Sequence, residues 1–154
     1  MTAFLGIDPG CSGALVLITE QGGYIDHLEM PTIKVGTKSR VNGAAVAAWV
    51  RQYRITHAYL EQVGAMPGQG TASMFTFGHA AGVAEGIIQG LNIPYTLVTP
   101  QAWKKSAGLI GSDKDAARSR AIQLYPGLRA LDAKAKGQAI ADALLIARHG
   151  ICIK

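Results

Sequence analysis

Short apolar runs separated by turn residues occupy the first third of the chain. Residues 4–8 (FLGID), 13–19 (GALVLIT) and 24–30 (YIDHLEM) each read as a strand, and the first ends on Asp8 ahead of the turn-forming pair Pro9-Gly10. Short glycine-containing turns join them, which predicts an antiparallel meander. Between residues 39 and 54 the spacing changes: Val41, Ala45, Ala48 and Trp49 share one stripe, predicting an amphipathic helix. Residues 58–63 (AYLEQV) form another strand candidate, again with one acid, Glu61, inside an apolar run. A Gly/Pro-rich segment at 64–70 leads to a small-residue helix from about 75 to 89, and 93–100 reads as a strand stopped by Pro100. Three helical segments follow at 100–108, 112–126 and 136–150, the second opening on a capping-box-like Ser112 and Asp115, the third ending at His149-Gly150. This order predicts an α/β fold with a mixed five-stranded sheet, three antiparallel strands and then two parallel ones, flanked by helices. With no repeat or linker in the pattern, residues 1–154 are expected to form a single domain.

Composition narrows the class. No run approaches the roughly 20 apolar residues of a membrane span, and no basic start precedes an apolar segment, so neither a span nor a signal peptide is expected. Cys11 and Cys152 are isolated thiols without metal-ligand spacing, as suits a reducing, cytoplasmic setting. The net charge of +5 is unevenly spread: residues 1–103 hold five Lys/Arg against six Asp/Glu, residues 104–154 ten against four. A basic last third fits a polyanion such as nucleic acid, or a solvated helical surface.

Three acids stand out against their surroundings. Asp8 and Glu61 are lone carboxylates in apolar strands, and Asp142 sits in a helix that is apolar nearly all round. An ionised carboxylate is costly to bury unless a cation, a metal or hydrogen bonds accompany it. For any one of them the plain alternative is a pairing with a buried Arg or Lys, but residues 55–103 contain neither. Two acids on neighbouring strands and one on a helix packed across them would form an oxygen-lined pocket for hard divalent cations, usually magnesium. Such ions can activate water and stabilise the attacking and leaving oxygens of a phosphodiester. His57, His79 and His149 lack zinc-site spacing, and the 64–70 loop lacks the Lys-Ser/Thr ending of a P-loop. Phe75 and Phe77 read either as core anchors or as stacking partners for an unpaired base.

The segments GIDPG (6–10), LEQVGAMPGQGTASMFTFG (60–78), VTPQAWKK (98–105), GSDKDAARSRAIQLYP (111–126) and ADALLIA (141–147) resemble the RuvC family of Holliday junction resolvases within the RNase H-like superfold, particularly its bacteriophage and prophage branch. The resemblance implies a homodimeric endonuclease dependent on Mg²⁺, with Mn²⁺ able to substitute and two ions per active site. Each subunit would nick one of two opposed strands of a four-way DNA junction in recombination or phage DNA processing. It places Asp8, Glu61 and Asp142 on the metal-binding acids, with Lys104, Lys105, Lys114 and Arg118 toward the DNA and Phe75 or Phe77 as a wedge at the junction centre. One departure concerns a fourth acid or histidine one helical turn before Asp142: Ala139 and Gln138 stand there, with Gln138 a weaker ligand and Asp132 an outside source of the missing charge. Two alternatives remain: a junction-binding protein without cutting activity, and a ribonuclease H-type nuclease.

Overall fold

The computed structural model describes residues 2–153. Its main sheet has five strands, β1 (Ala3–Asp8), β2 (Ala14–Ile18), β3 (Tyr24–Glu29), β6 (Ile55–Glu61) and β7 (Tyr95–Val98), in the order β3-β2-β1-β6-β7. The first three strands are antiparallel, while β6 runs parallel to both β1 and β7, as the order of apolar runs predicts. Helices cover both faces. On one lie α1 (Gly43–Val50) and α2 (Thr71–Gly90); on the other lie α3 (Pro100–Ala107), α4 (Ala116–Leu124) and α5 (Lys134–Cys152), which a 3₁₀ turn at Arg129–Asp132 precedes.

Strand alternation assigns each face its residues. Along β1, Ala3, Leu5 and Ile7 point to the α1/α2 core and Phe4 to the α5 core; along β6, Ala58 and Leu60 face α1/α2 while Tyr59 faces α5. Asp8 and Glu61 therefore fall on the α5 face at the ends of adjacent parallel strands, one step beyond the paired Ile7 and Leu60. Helix α5 lies almost directly on the strands. A Cβ at Gly6 would sit 2.1 Å from the Ala143 carbonyl oxygen and 2.8 Å from the Ala147 Cβ, so only glycine lets the helix approach this closely.

The 39–54 segment differs from its expected form. Its first residues belong to a hairpin, β4 (Thr32–Val35) and β5 (Lys38–Val41), that forms a separate two-stranded sheet. Gly36 at φ 63° opens the two-residue turn, matching a type II′ geometry. The helix begins only after Asn42, whose side chain caps the Ala45 N–H at 3.2 Å, and its buried stripe is Val46, Trp49 and Val50 with Ala48 exposed. Helix α2 starts at Thr71, earlier than its small-residue pattern indicates, and α5 runs past Gly150 to Cys152. Asp115, not Ser112, is the N-cap of α4, and its carboxylate is engaged by Arg118 instead of a backbone N–H. Among the described residues no helix is long and apolar enough to cross a membrane.

Candidate active site

Thr99 caps α3 through its hydroxyl, accepting from the Ala102 N–H at 3.2 Å, and Pro100 occupies the first helical turn, where its missing N–H costs nothing. This start sets Trp103 inward. The indole is buried and its Nε1–H donates to Glu61 Oε2 at 2.6 Å. Lys104, next along the exposed side of α3, holds its ammonium 5.6 Å from the centre of the same indole ring.

The three acids share one electrostatic neighbourhood. Burial raises the Asp8 pKa well above its ordinary value, and the charges of Asp142 and Glu61 raise it further. Burial also raises Glu61, against the lowering effects of the Trp103 hydrogen bond and the Lys104 charge. Asp142 is pushed up to about 7, first by burial and then by Glu61, while the Gln138 amide and Lys104 pull the other way. Gln138 Nε2 donates to Asp142 Oδ1 at 3.2 Å from one turn earlier on α5. Ala139, three residues before Asp142, is buried in the α5 core and offers no ligand.

Among the described residues, no group of three or more His, Cys, Asp or Glu side chains is drawn tightly enough to hold a metal ion as it stands. The donor set nevertheless suits a hard divalent cation. It consists of carboxylate oxygens whose charged forms are disfavoured by burial and, at Asp8 and Asp142, by a carboxylate neighbour, a cost that a bound cation would offset.

A cleft of about 310 Å³ opens beside Asp142, with Trp103, Lys104, Asp113, Lys114 and Gln138 in its walls. Lys105 is exposed on α3 outside this lining. Arg118 is turned inward, with Nε 2.9 Å from Asp115 Oδ1 and Nη1 donating to the Leu131 carbonyl at 3.2 Å, so it braces α4 against the 3₁₀ turn. Asp132 pairs with Arg129 at 3.3 Å and does not line the cleft; Asp113 does. Phe77 packs half-buried against the turn after Asp8, whereas Phe75 is 62% exposed under the Arg40 guanidinium.

Trp103 and Asp113 escaped the sequence reading. Trp103 lies inside the VTPQAWKK motif, but an indole in an amphipathic helix ordinarily signals packing alone. Only its contact with Glu61 reveals a polar task.

A family model described as crossover junction endodeoxyribonuclease RuvC matches residues 4–150. The chain is similar to the chloroplastic Holliday junction resolvase MOC1 of Chlamydomonas reinhardtii, at 32% identity over 100 residues that make up 63% of this chain and 11% of that relative. The chain thus spans only a small part of that relative's length. A solved structure of T. thermophilus RuvC in complex with a Holliday junction substrate matches with a TM-score of 0.72 at 16% identity, covering 99% of this chain and 95% of the other. Another of Thermus thermophilus RuvC gives 0.59 at 16% identity, with 96% and 92% covered. At this identity the likeness is one of fold, an RNase H-like mixed sheet with helices on both faces.

Proposed function

Because the chain belongs to the RuvC family of crossover junction endodeoxyribonucleases, we propose that it is a structure-selective DNA endonuclease that resolves four-way junctions by metal-dependent hydrolysis. RuvC-like nucleases work with a divalent metal. In this reading the metal is Mg²⁺, with Mn²⁺ able to substitute, two ions serve each site, and the enzyme is a homodimer whose protomers, each one nuclease domain over residues 1–154, nick opposed strands. It would act in the cytoplasm of a bacterial or phage-infected cell. The observation that carries the reading is the gathering of Asp8, Glu61 and Asp142 at the strand ends, with Lys104 near two of them and a Lys114-lined cleft alongside.

Asp8, Glu61 and Asp142 would hold the cation, whose bound form lowers the pKa of water and offsets charge developing on the phosphodiester. The chain's own groups do the positioning. Trp103 fixes the orientation of Glu61 through its indole N–H, and Gln138 holds one oxygen of Asp142 by an amide donor. Lys104 and Lys114 supply positive charge along the cleft where a phosphate backbone would run, and the cut leaves a 5′-phosphate and a 3′-hydroxyl. Exposed Phe75 is the better placed of the two phenylalanines to act at the junction centre, since Phe77 is engaged with the Gly10 turn. For the dimer, the support is the outer side of α2, where Gly78, Gly82, Gly86 and Gly90 leave open space.

A second reading, a junction binder that does not cut, is favoured by one observation: one turn before Asp142, where the family resemblance leads one to expect a fourth acid or a histidine, stand the buried Ala139 and the weaker ligand Gln138. The deciding experiment measures nicking of a labelled four-way junction, its matched linear duplex and an RNA–DNA hybrid, with and without Mg²⁺, for wild type and Asp8→Asn. Paired symmetric cuts by wild type, reduced about 10³-fold in Asp8→Asn through loss of roughly 4 kcal/mol of transition-state stabilisation, support the resolvase. Tight junction binding without cuts in Mg²⁺ or Mn²⁺ makes it a binding module, and preference for RNA–DNA hybrid makes it a ribonuclease H.

A further inference from the structure

The β4–β5 hairpin has no place in the catalytic arrangement, and its chemistry is distinctive. It carries Lys34, Lys38 and Arg40 with no acid between Pro31 and Asn42, and α2 has none before Glu85. None of the three cations is in an ion pair among the described residues. Pairing of Val35 with Lys38 and of Ile33 with Arg40 sets these four on one face of the hairpin, with Lys34 on the other, where it donates to Ser39 Oγ at 3.2 Å. Ile33 and Val35 are 46% and 56% exposed.

This face borders α2. The Arg40 guanidinium lies 5.3 Å from the centre of the Phe75 ring, and that ring lies 6.2 Å from His79. Arg40 Nη1 is buried and meets no hydrogen-bond partner among the described residues. Between hairpin and helix runs an open cleft of about 340 Å³ whose walls include Cys11, Lys38, Ser73, Thr76 and Phe77. Cys11 belongs to the turn that follows Asp8, and its thiol donates to the Ser39 carbonyl at 3.6 Å. The cleft is thus tied to the catalytic strand end by a direct contact.

We propose that this cleft is a second seat for DNA backbone, in which Lys38 takes a phosphodiester of a duplex arm of the substrate, with the Ser73 and Thr76 hydroxyls as further donors. The inference rests on the junction-resolvase reading and adds to it a second backbone contact. A flexible ammonium flanked by hydroxyls, with no carboxylate on the hairpin or the first turns of α2, suits a phosphodiester and repels no anion. The exposed aliphatic side chains beside it suit the sugar edge of a backbone. Contacts of this kind fix orientation and not sequence, so the seat should serve any arm of the right geometry.

The test is binding of a labelled four-way junction and a linear duplex in EDTA across a salt series, for wild type, Lys38→Ala and Lys34→Ala, with thermal unfolding as a folding control and nicking in Mg²⁺ alongside. Loss of one phosphate contact lowers the slope of log K against log salt by about one and weakens junction binding roughly fivefold to tenfold at about 0.1 M salt. Lys34→Ala leaves both unchanged. Lys38→Ala matching a DNA-binding, junction-nicking wild type in slope and affinity overturns the seat alone. A wild type that binds neither junction nor duplex takes down the seat and the resolvase reading together.

Discussion

Helices α5 and α2 are both long, both rich in small residues, and each covers one face of the same sheet, yet they use those residues in opposite ways. On α5, Ala143 and Ala147 press against Gly6, and a Cβ at Gly150 would fall 2.2 Å from the Tyr59 ring. On α2, Ala80, Ala81, Ala84 and Ile88 are buried, while Gly78, Gly82, Gly86 and Gly90 have nothing within reach of an added Cβ. Small size on α5 permits close approach, and that approach brings Asp142 over the ends of β1 and β6. On α2 the same small size leaves a smooth outer face, which costs helix propensity without any gain within the chain. A residue type therefore says little about its task until its neighbours are known.

The largest effect should come from breaking the close approach. Gly6→Ala drives a methyl into the α5 backbone and is expected to destabilise by about 3 kcal/mol or more, read by chemical denaturation. The same change on the other helix, Gly82→Ala, should raise the stability of the fold by roughly 0.5–1 kcal/mol through helix propensity, and, on the proposal that α2 is a dimer face, weaken self-association measured by sedimentation. Equal destabilisation by both would erase the contrast between the helices.

A second probe sharpens the polar side of the α5 face. Trp103→Phe keeps most of the buried ring and removes the donor to Glu61, so the nicking rate should fall about 10- to 100-fold with folding retained. Full activity in this variant would show that Glu61 is oriented without the indole.

A third probe is pH dependence. Asp142 has a pKa near 7 when folded against 3.8 ordinarily, so between those values the folded state binds more protons than the unfolded one. Metal-free stability contributed by this group is therefore present at low pH and lost as pH rises from about 4 to about 7. Thermal unfolding in EDTA should show that decline, added Mg²⁺ should offset it near pH 7, and Asp142→Asn should lessen it, leaving the part contributed by the raised Asp8 and Glu61 carboxylates.

Much of the architecture was legible because its signals are local. Apolar runs of strand length, lone acids within them and a helix too apolar for Asp142 are visible in any short window, and strand alternation already puts each acid opposite its apolar neighbours. The β4–β5 hairpin was also signalled, by Val-Gly-Thr-Lys, but its strands are mostly exposed and carry no alternation toward a core, so the helical pattern that follows masked it. Arg118 shows the opposite limit. Its charge is evident in the sequence, while its commitment to Asp115 and the Leu131 carbonyl is not.

The sequence by itself determined which carboxylates are out of place and which segments become strands and helices, because periodicity and turn chemistry act over a few residues. Tertiary structure decided which acids share a field, that Trp103 serves Glu61, that Gln138 reaches Asp142 while Ala139 turns into the core, and that Lys38 borders the turn after Asp8. Those outcomes depend on the register of β1 against β6 and on the closeness of α5 at Gly6, which are set by packing between residues far apart in the chain.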